Sequence, residues 1–371
     1  MVELRIKPEV LYFENFPEFA DQALIGEDDL IITNRYIYDA DMEQVPLSCH
    51  IMFQEDYGYG PLSDVMLESI CQAVPAGIRR VIGVGGGTVL DISKLVSLKQ
   101  CTPARDLYDG RIKVVRDKAL VLIPTTCVTG SEVTDVAVMS FAGQNNKLGL
   151  VADGLYADQA VLIPHLLATL PFNVFATTSL DALIHAVEAA LSPDADCTIK
   201  MFAYKAIEMI LSGYLVLKEE GAEKRHDLSA SFLRASMYAG VASTNAGCGP
   251  IHALSYPLGA KYHVPHGEAN YVLFMAVMRL YAGKKNEGAL VELNQFLAKV
   301  LHCTEADVYA VLEELLGLVM EKKSLDRYGV RESDLQNFTD TVMTSQARLM
   351  SNAFVLLDRD DVYGLYNELY V

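Results

Sequence analysis

Two stretches of the 371-residue chain carry the residue types of a metal centre. Asp181 and His185 lie four apart in TTSLDALIHAVEAAL, a string with helical periodicity. That spacing puts both side chains on one helix face, a turn apart, where both can reach one cation. Glu188 shares the face and competes for the role. The second stretch contains His252, Tyr256, His263 and His266 within HALSYPLGAKYHVPHG. His252 opens an element, and His266 lies beyond a Gly/Pro-containing turn that can fold it back. One carboxylate and three imidazoles form a donor set for a borderline divalent ion, Fe2+ or Zn2+. Water or substrate would complete the shell. His50, His165, His226 and His302 have no partner pattern and read as structural.

A different chemistry is written in Gly83-Val-Gly-Gly-Gly87-Thr88, which follows a strand and opens a helix from Val89 to Lys99. Glycines let a backbone approach a pyrophosphate without Cβ clashes. The helix N-terminus offers free N–H groups and a partial positive charge. A second loop, PTTCVTGSE from Pro124 to Glu132, is dense in hydroxyls that can line a ribose or nicotinamide site. Asn34 ends the string LIITN, where an acidic residue ordinarily grips the adenosine ribose and repels a 2′-phosphate. Asn lacks the repulsion, and Arg35 beside it can attract a phosphate; NAD is the expected carrier, with NADP as the alternative.

The elements that must position these residues fall into two textures. Up to about residue 165, short apolar runs alternate with helical patterns. Leu30–Ile32, Val81–Val84, Leu120–Ile123 and Ala160–Ile163 read as strands buried on both faces, as in a parallel sheet with crossover helices. After Pro171, helical periodicities dominate, as in Phe202–Leu217 and Ala306–Met320. The expected fold is α/β plus all-α, with a dinucleotide-binding domain over 1–168 and a helical metal- and substrate-binding domain over 169–371. The formal charge of −18 opposes binding to nucleic acid or anionic lipid. Seven scattered cysteines without a CxxC pair suit reduced thiols and a cytoplasmic setting. No uncharged apolar run reaches the ~18 residues of a membrane span, and the charged N-terminus lacks the apolar stretch of a signal peptide.

Taken together and in order, GGGTVLDISK, PTTCVTGSE, DALIHAVEA, HALSYPLG and PHGEAN resemble the iron-dependent (group III) alcohol dehydrogenase family over nearly the whole chain. The resemblance implies a Rossmann-like domain, a helical domain of dehydroquinate synthase-like architecture and a cleft between them. It implies metal ligation by Asp181, His185, His252 and His266, with Fe2+ expected and Zn2+ as the alternative. It implies NAD contacts from Asn34, Gly86, Gly87, Thr88, Asp91, Thr125, Thr126, Thr129 and Lys147. A homodimer or higher homo-oligomer is expected by the same analogy. Asn34 stands where many members carry Asp, and Cys127 where Ala is frequent. Tyr256 stands where many have a second His, which unsettles the usual proton relay. The strings FQEDYGYG, NAGCGPIHALSYP and YHVPHGEANY look like the branch acting on 4-hydroxybutyrate and succinate semialdehyde.

The chemistry so implied is metal-assisted hydride transfer, with the ion lowering the pKa of an alcohol oxygen. Tyr256 or His263 is expected to take part in proton exit. A substrate carboxylate needs a cation, for which Lys261, His263 and Arg348 are candidates. Another short-chain alcohol or diol is the alternative substrate. A metal- and NAD-dependent lyase of dehydroquinate synthase type is the rival reaction, one that would release no net NADH.

Overall fold

The computed structural model describes residues 4–127, 130–141 and 147–371, and they form two compact units. The first runs from Ile6 to Leu170 and the second from Pro171 to Val371, which also takes in Leu4 and Arg5. Asn245 fixes that early segment, accepting from the Arg5 backbone N–H at 2.7 Å and donating to its carbonyl at 3.0 Å.

The first unit is built on a six-stranded sheet. Its strands are β1 (Glu9–Tyr12), β2 (Asp29–Thr33), β3 (His50–Phe53), β4 (Arg80–Gly85), β5 (Ala119–Pro124) and β8 (Gln159–Leu162). They pair in parallel in the order β1-β8-β5-β4-β2-β3. Each apolar run expected to form a strand lies within β2, β4, β5 or β8 or runs one residue past it. Alternate side chains enter two separate cores. Leu30, Ile32, Val81, Leu120 and Leu122 pack on one face, while Ile31, Ile82, Val84, Val121 and Ile123 pack on the other. Burial on both faces is why these strands read as continuous apolar runs. Helices α1 (Phe16–Ala23), α2 (Asp64–Ala73) and α3 (Gly87–Val96) supply the covering layers. A β6–β7 hairpin (Val136–Ser140 with Lys147–Val151) lies outside this sheet, and the sequence reading did not include it.

The chain moves outward from β2 to β3, then crosses back to β4 on the other side of β2. This topological switch lies between β2 and β4, the position where parallel α/β sheets bind ligands at their carboxyl ends. Asn34 follows β2 there, and the glycine turn follows β4.

The second unit is helical throughout: α4 (Phe172–Leu191), α5 (Cys197–Glu220), α6 (Ser229–Ala246), α7 (Pro250–Tyr262), α8 (His266–Lys284), α9 (Ala289–Val300), α10 (Val308–Val319), α11 (Glu332–Ser345) and α12 (Arg359–Glu368) are its long helices. Helix α4 lies at its centre, buried from Leu180 to Leu191 on every face. By length and composition α4 could cross a membrane, although Asp181 and Glu188 interrupt it, so it is not the uncharged run that a span was expected to need. Yet 83% of its apolar window is buried inside this unit, which accounts for its hydropathy. Glycine permits close approaches here. A Cβ on Gly213 would lie 2.5 Å from Phe232 Cζ, between α5 and α6.

Two cysteines depart from the expectation of reduced thiols. Cys71 on α2 and Cys101 after α3 form a disulfide across a Cα–Cα distance of 7.2 Å. Thirty residues separate them in sequence, a spacing that carries no signal of adjacency.

Candidate metal and nucleotide sites

The helical unit brings Asp181, His185, His252 and His266 together. Asp181 and His185 are one turn apart on α4, His252 is the third residue of α7, and His266 is the first of α8. The turn His263-Val264-Pro265 reverses the chain between α7 and α8. His263 adopts the left-handed conformation at φ 55° that ends α7. His252 Nε2 lies 3.8 Å from Asp181 Oδ1, and His266 Nε2 lies 4.0 Å from it. The rings of His185 and His252 are 4.2 Å apart, and those of His252 and His266 are 5.3 Å apart. Donor atoms on a tetrahedral ion with ~2.0–2.3 Å bonds stand roughly 3.3–3.8 Å apart. The observed spacings fall at or just beyond that value.

The hydrogen bonds assign the tautomers. His185 Nδ1–H donates to the Asp181 carbonyl at 2.8 Å, leaving Nε2 as the lone-pair nitrogen. His252 Nδ1–H donates to Glu188 Oε2 at 2.6 Å, so its Nε2 is also a bare acceptor. That Nε2 and Asp181 Oδ2 are buried with no hydrogen-bond partner. Two orphaned electron-pair donors in one buried cluster cost several kcal/mol unless something positive meets them. A divalent cation fits this donor set. Burial alone would raise the Asp181 carboxyl pKa, but His266, His185 and His252 outweigh it and hold the group below its usual value.

Glu188, the competitor on α4, has a different job. Its carboxylate accepts from His252 Nδ1, from the Gly249 N–H at 2.8 Å and from the Ile251 N–H at 2.6 Å. It caps the start of α7, which has no side-chain cap of its own, and orients the imidazole at the same time. Asn270, fully buried on α8, donates to Asp181 Oδ1 at 2.6 Å. It sits four residues after His266, so the helical spacing in HGEAN held the clue. Gly267 admits α8 to this position. A Cβ there would meet the Thr177 carbonyl oxygen at 2.1 Å and Asp181 Cβ at 3.0 Å.

The two residues expected to move a proton are placed differently from each other. Tyr256 stacks near the cluster, its ring 5.9 Å from that of His266. Burial pushes its phenol pKa upward, Cys248 adds to the rise, and Arg348 acts in the opposite sense. Tyr256 therefore holds its proton at neutral pH. His263 is exposed at the end of α7, and its ring has no hydrogen bond or ring contact with the four. Lys261 is committed elsewhere: its ammonium donates to Asp334 Oδ1 at 2.6 Å.

In the first unit, the glycine turn runs from the end of β4 into α3. Gly85 pairs with Pro124 at the ends of β4 and β5, which sets the turn beside the PTTC loop. Thr88, Gly86 and Gly87 are half-buried, while Thr125 and Thr126 are buried; the Thr126 hydroxyl has no hydrogen-bond partner. Lys147 begins β7. Thr129 lies outside the described residues. Two expected cofactor contacts are engaged internally. Asn34 donates from Nδ2 to Gln54 at 2.9 Å. Asp91 accepts from Ser131 Oγ and from the Val138 N–H, each at 2.9 Å, so it ties α3 to the following loop and hairpin. Arg35, considered as a phosphate ligand, is held by both oxygens of Asp56 at 2.8 and 2.9 Å. Lys94 escaped the sequence reading. It is fully buried, and its ammonium donates to Ser131, Thr134 and the Val136 carbonyl.

Known proteins resemble this chain along nearly its whole length. A family model described as iron-containing alcohol dehydrogenase matches residues 17–164, and its C-terminal companion matches 175–370. The 4-hydroxybutyrate dehydrogenase of Clostridium kluyveri is 41% identical over 368 residues, covering 99% of both chains. The long-chain-alcohol dehydrogenase 1 of Geobacillus thermodenitrificans is 34% identical over 345 residues, 85% of this chain and 83% of that one. Among solved structures, sulfoacetaldehyde reductase from Bifidobacterium kashiwanohense in complex with NAD+ superimposes with a TM-score of 0.85 at 19% identity. It covers 100% of this chain and 98% of that one, a likeness of fold.

Proposed function

The chain belongs to the iron-containing alcohol dehydrogenase family, and from that membership we propose that it interconverts 4-hydroxybutyrate and succinate semialdehyde with NAD as hydride carrier and a divalent metal, iron in the first instance. One observation supports the metal reading above the rest: Asp181 Oδ2 and His252 Nε2 are buried without partners amid three imidazoles. The identity of 41% across the full length supports the substrate.

Asp181, His185, His252 and His266 would hold the ion. The chemistry supplied there by a bound divalent ion is Lewis-acid polarisation of the alcohol oxygen, and that supplied by NAD is hydride acceptance. The chain's own residues do the rest. Glu188 and the Asp181 carbonyl fix two imidazoles in the tautomer that leaves Nε2 bare. Tyr256, protonated, can donate to the substrate oxygen as it becomes negative. Oxidation of the alcohol releases one proton to water with each hydride transferred.

Gly86, Gly87, Thr88, Thr125 and Thr126 are proposed to hold the dinucleotide. Gly86 is the informative position. Added Cβ atoms at Gly83 and Gly85 would strike Ser93 at 2.4 Å and Val89 at 2.6 Å, so packing explains those glycines. At Gly86 the nearest atom is Thr126 Cγ2 at 3.5 Å, so the protein itself has room for a methyl. A pyrophosphate lying on the α3 N-terminus accounts for its absence.

The substrate carboxylate needs a cation, and Arg348 supplies it in this reading. Its side chain is exposed, and it lies near enough to Tyr256 to act on its phenol electrostatically. The test is an anaerobic assay of the Fe2+-loaded enzyme, read as NADH absorbance, on 4-hydroxybutyrate and on butanol. Higher kcat/KM for 4-hydroxybutyrate is expected. Arg348→Ala should lower it by roughly 10- to 100-fold, the worth of a charged hydrogen bond, and spare butanol. Gly86→Ala should raise the KM for NAD without lowering the melting temperature. Absence of NADH formation would overturn the dehydrogenase reading. Equal losses on both alcohols would remove Arg348 from carboxylate binding.

A further inference from the structure

The loop Gly247-Cys248-Gly249 enters α7 and places a sulfur beside the proposed metal ligands. The atoms that His185, Cys248 and His252 offer to a metal all lie within 4.8 Å of one another. Those of Asp181, His252 and His266 form a second such group, sharing His252. The His252 side chain is only 2% exposed, and its Nε2 has no hydrogen-bond partner. The loop is fixed on both sides of the sulfur. Gly247 N–H donates to the Ser243 carbonyl at 2.7 Å, and Gly249 N–H donates to Glu188. Asn352 Nδ2 donates to the Cys248 carbonyl at 3.1 Å and to that of Ala246 at 2.8 Å. Gly247, at φ 79°, takes the left-handed turn that starts the loop. The side chain of Cys248 is thus carried by a backbone with little freedom, not by a swinging loop.

We propose that Cys248 is a further ligand at this centre, a thiol donor that joins His185 and His252 on a soft divalent ion. The inference rests on the metal reading above. The centre then has two nested donor sets. Asp181, His252 and His266 offer a carboxylate oxygen and two imidazoles, suited to Fe2+ or a harder ion. His185, Cys248 and His252 offer a sulfur and two imidazoles, which favours thiophilic ions such as Zn2+ or Co2+. When such an ion engages the sulfur, a metal–sulfur bond forms and the S–H proton passes to water. No oxidation is involved. Which set dominates depends on the softness of the ion, so the choice of metal is written partly in residue 248.

Anaerobic titration of the metal-free protein with Co2+ tests this by spectrum, independently of turnover. Visible ligand-field bands report any ion bound by the imidazoles and carboxylate. An intense near-ultraviolet sulfur-to-cobalt charge-transfer band reports the thiolate. The wild-type protein is expected to show both. Cys248→Ser and Cys248→Ala are expected to keep the visible bands and lose the near-ultraviolet one. In chelator competition, Cys248→Ser should weaken Zn2+ binding by about 10-fold or more while changing Mn2+ binding by less than about 3-fold. Visible bands without the charge-transfer band in the wild type, or a band that survives in both variants, would overturn the role of Cys248 and leave the four-residue site standing. Absence of the visible bands in the wild type would overturn both.

Discussion

Glu188 shows why a residue's type and spacing do not reveal its role. On the helix it looks equivalent to Asp181 as a ligand, because both share the face with His185. The fold separates them. Glu188 faces the first turn of α7, where two backbone N–H groups and the His252 ring converge on its oxygens. That arrangement depends on an element more than sixty residues away, which no local pattern encodes. Asp181 and His185 were legible, because a four-residue spacing in a helix fixes their relation without tertiary knowledge. His252 and His266 were legible as donors, but their convergence needed the turn at His263–Pro265. Glu188→Gln keeps the shape and cannot accept three N–H donors. It is expected to weaken metal binding by roughly 10- to 100-fold, as loss of a partner behind a metal-bound His does. Chelator competition under anaerobic conditions measures this, and an unchanged affinity would reduce Glu188 to a helix cap.

At the scale of elements, α7 must be held against its neighbours for His252 to stay in place. Asp334 at the start of α11 does part of this. It accepts from Lys261 at 2.6 Å, from the Tyr262 hydroxyl and from the Arg331 N–H at 3.1 Å. These partners, Lys261 foremost, hold the Asp334 carboxyl pKa down at about 2. A depressed carboxylate stabilises the fold above its unfolded value of about 3.9, and that contribution disappears as pH falls toward about 2. Asp334→Asn is therefore expected to cost about 1 kcal/mol at pH 6, since Lys261 is partly solvent-screened, and progressively less as pH falls through about 2. Urea unfolding of both proteins across that range checks it. A cost that does not change with pH would assign the effect to packing. The sheet strands were readable because burial on both faces leaves uninterrupted apolar runs. The β6–β7 pair was not, because its strands are short and only half-buried. Lys94 was missed for a related reason: an amphipathic helix pattern gives no sign that a lysine points inward.

For the whole molecule, the change of texture near residue 170 reflects a change of periodicity, from apolar runs in a parallel sheet to the 3.6-residue repeat of a helical unit. That is a long-wavelength signal, and it survives without knowledge of any contact. The Cys71–Cys101 pair and the buried environment of α4 are contact-level facts, so the sequence left the first invisible and gave the second the hydropathy of a membrane segment. The charge of −18 adds solubility and repels polyanions, but it also means that any anionic substrate must be met by a local cation. The four side chains that three helices bring together, Asp181, His185, His252 and His266, are proposed to hold one divalent ion. Anaerobic titration of the metal-free protein with Fe2+, with bound iron counted per chain, tests it most directly. One tightly bound iron per chain is expected for the wild type, with affinity at least ~100-fold weaker in His252→Ala and in His266→Ala. A wild-type protein that binds no iron, or variants that bind it as tightly as the parent, would contradict the account.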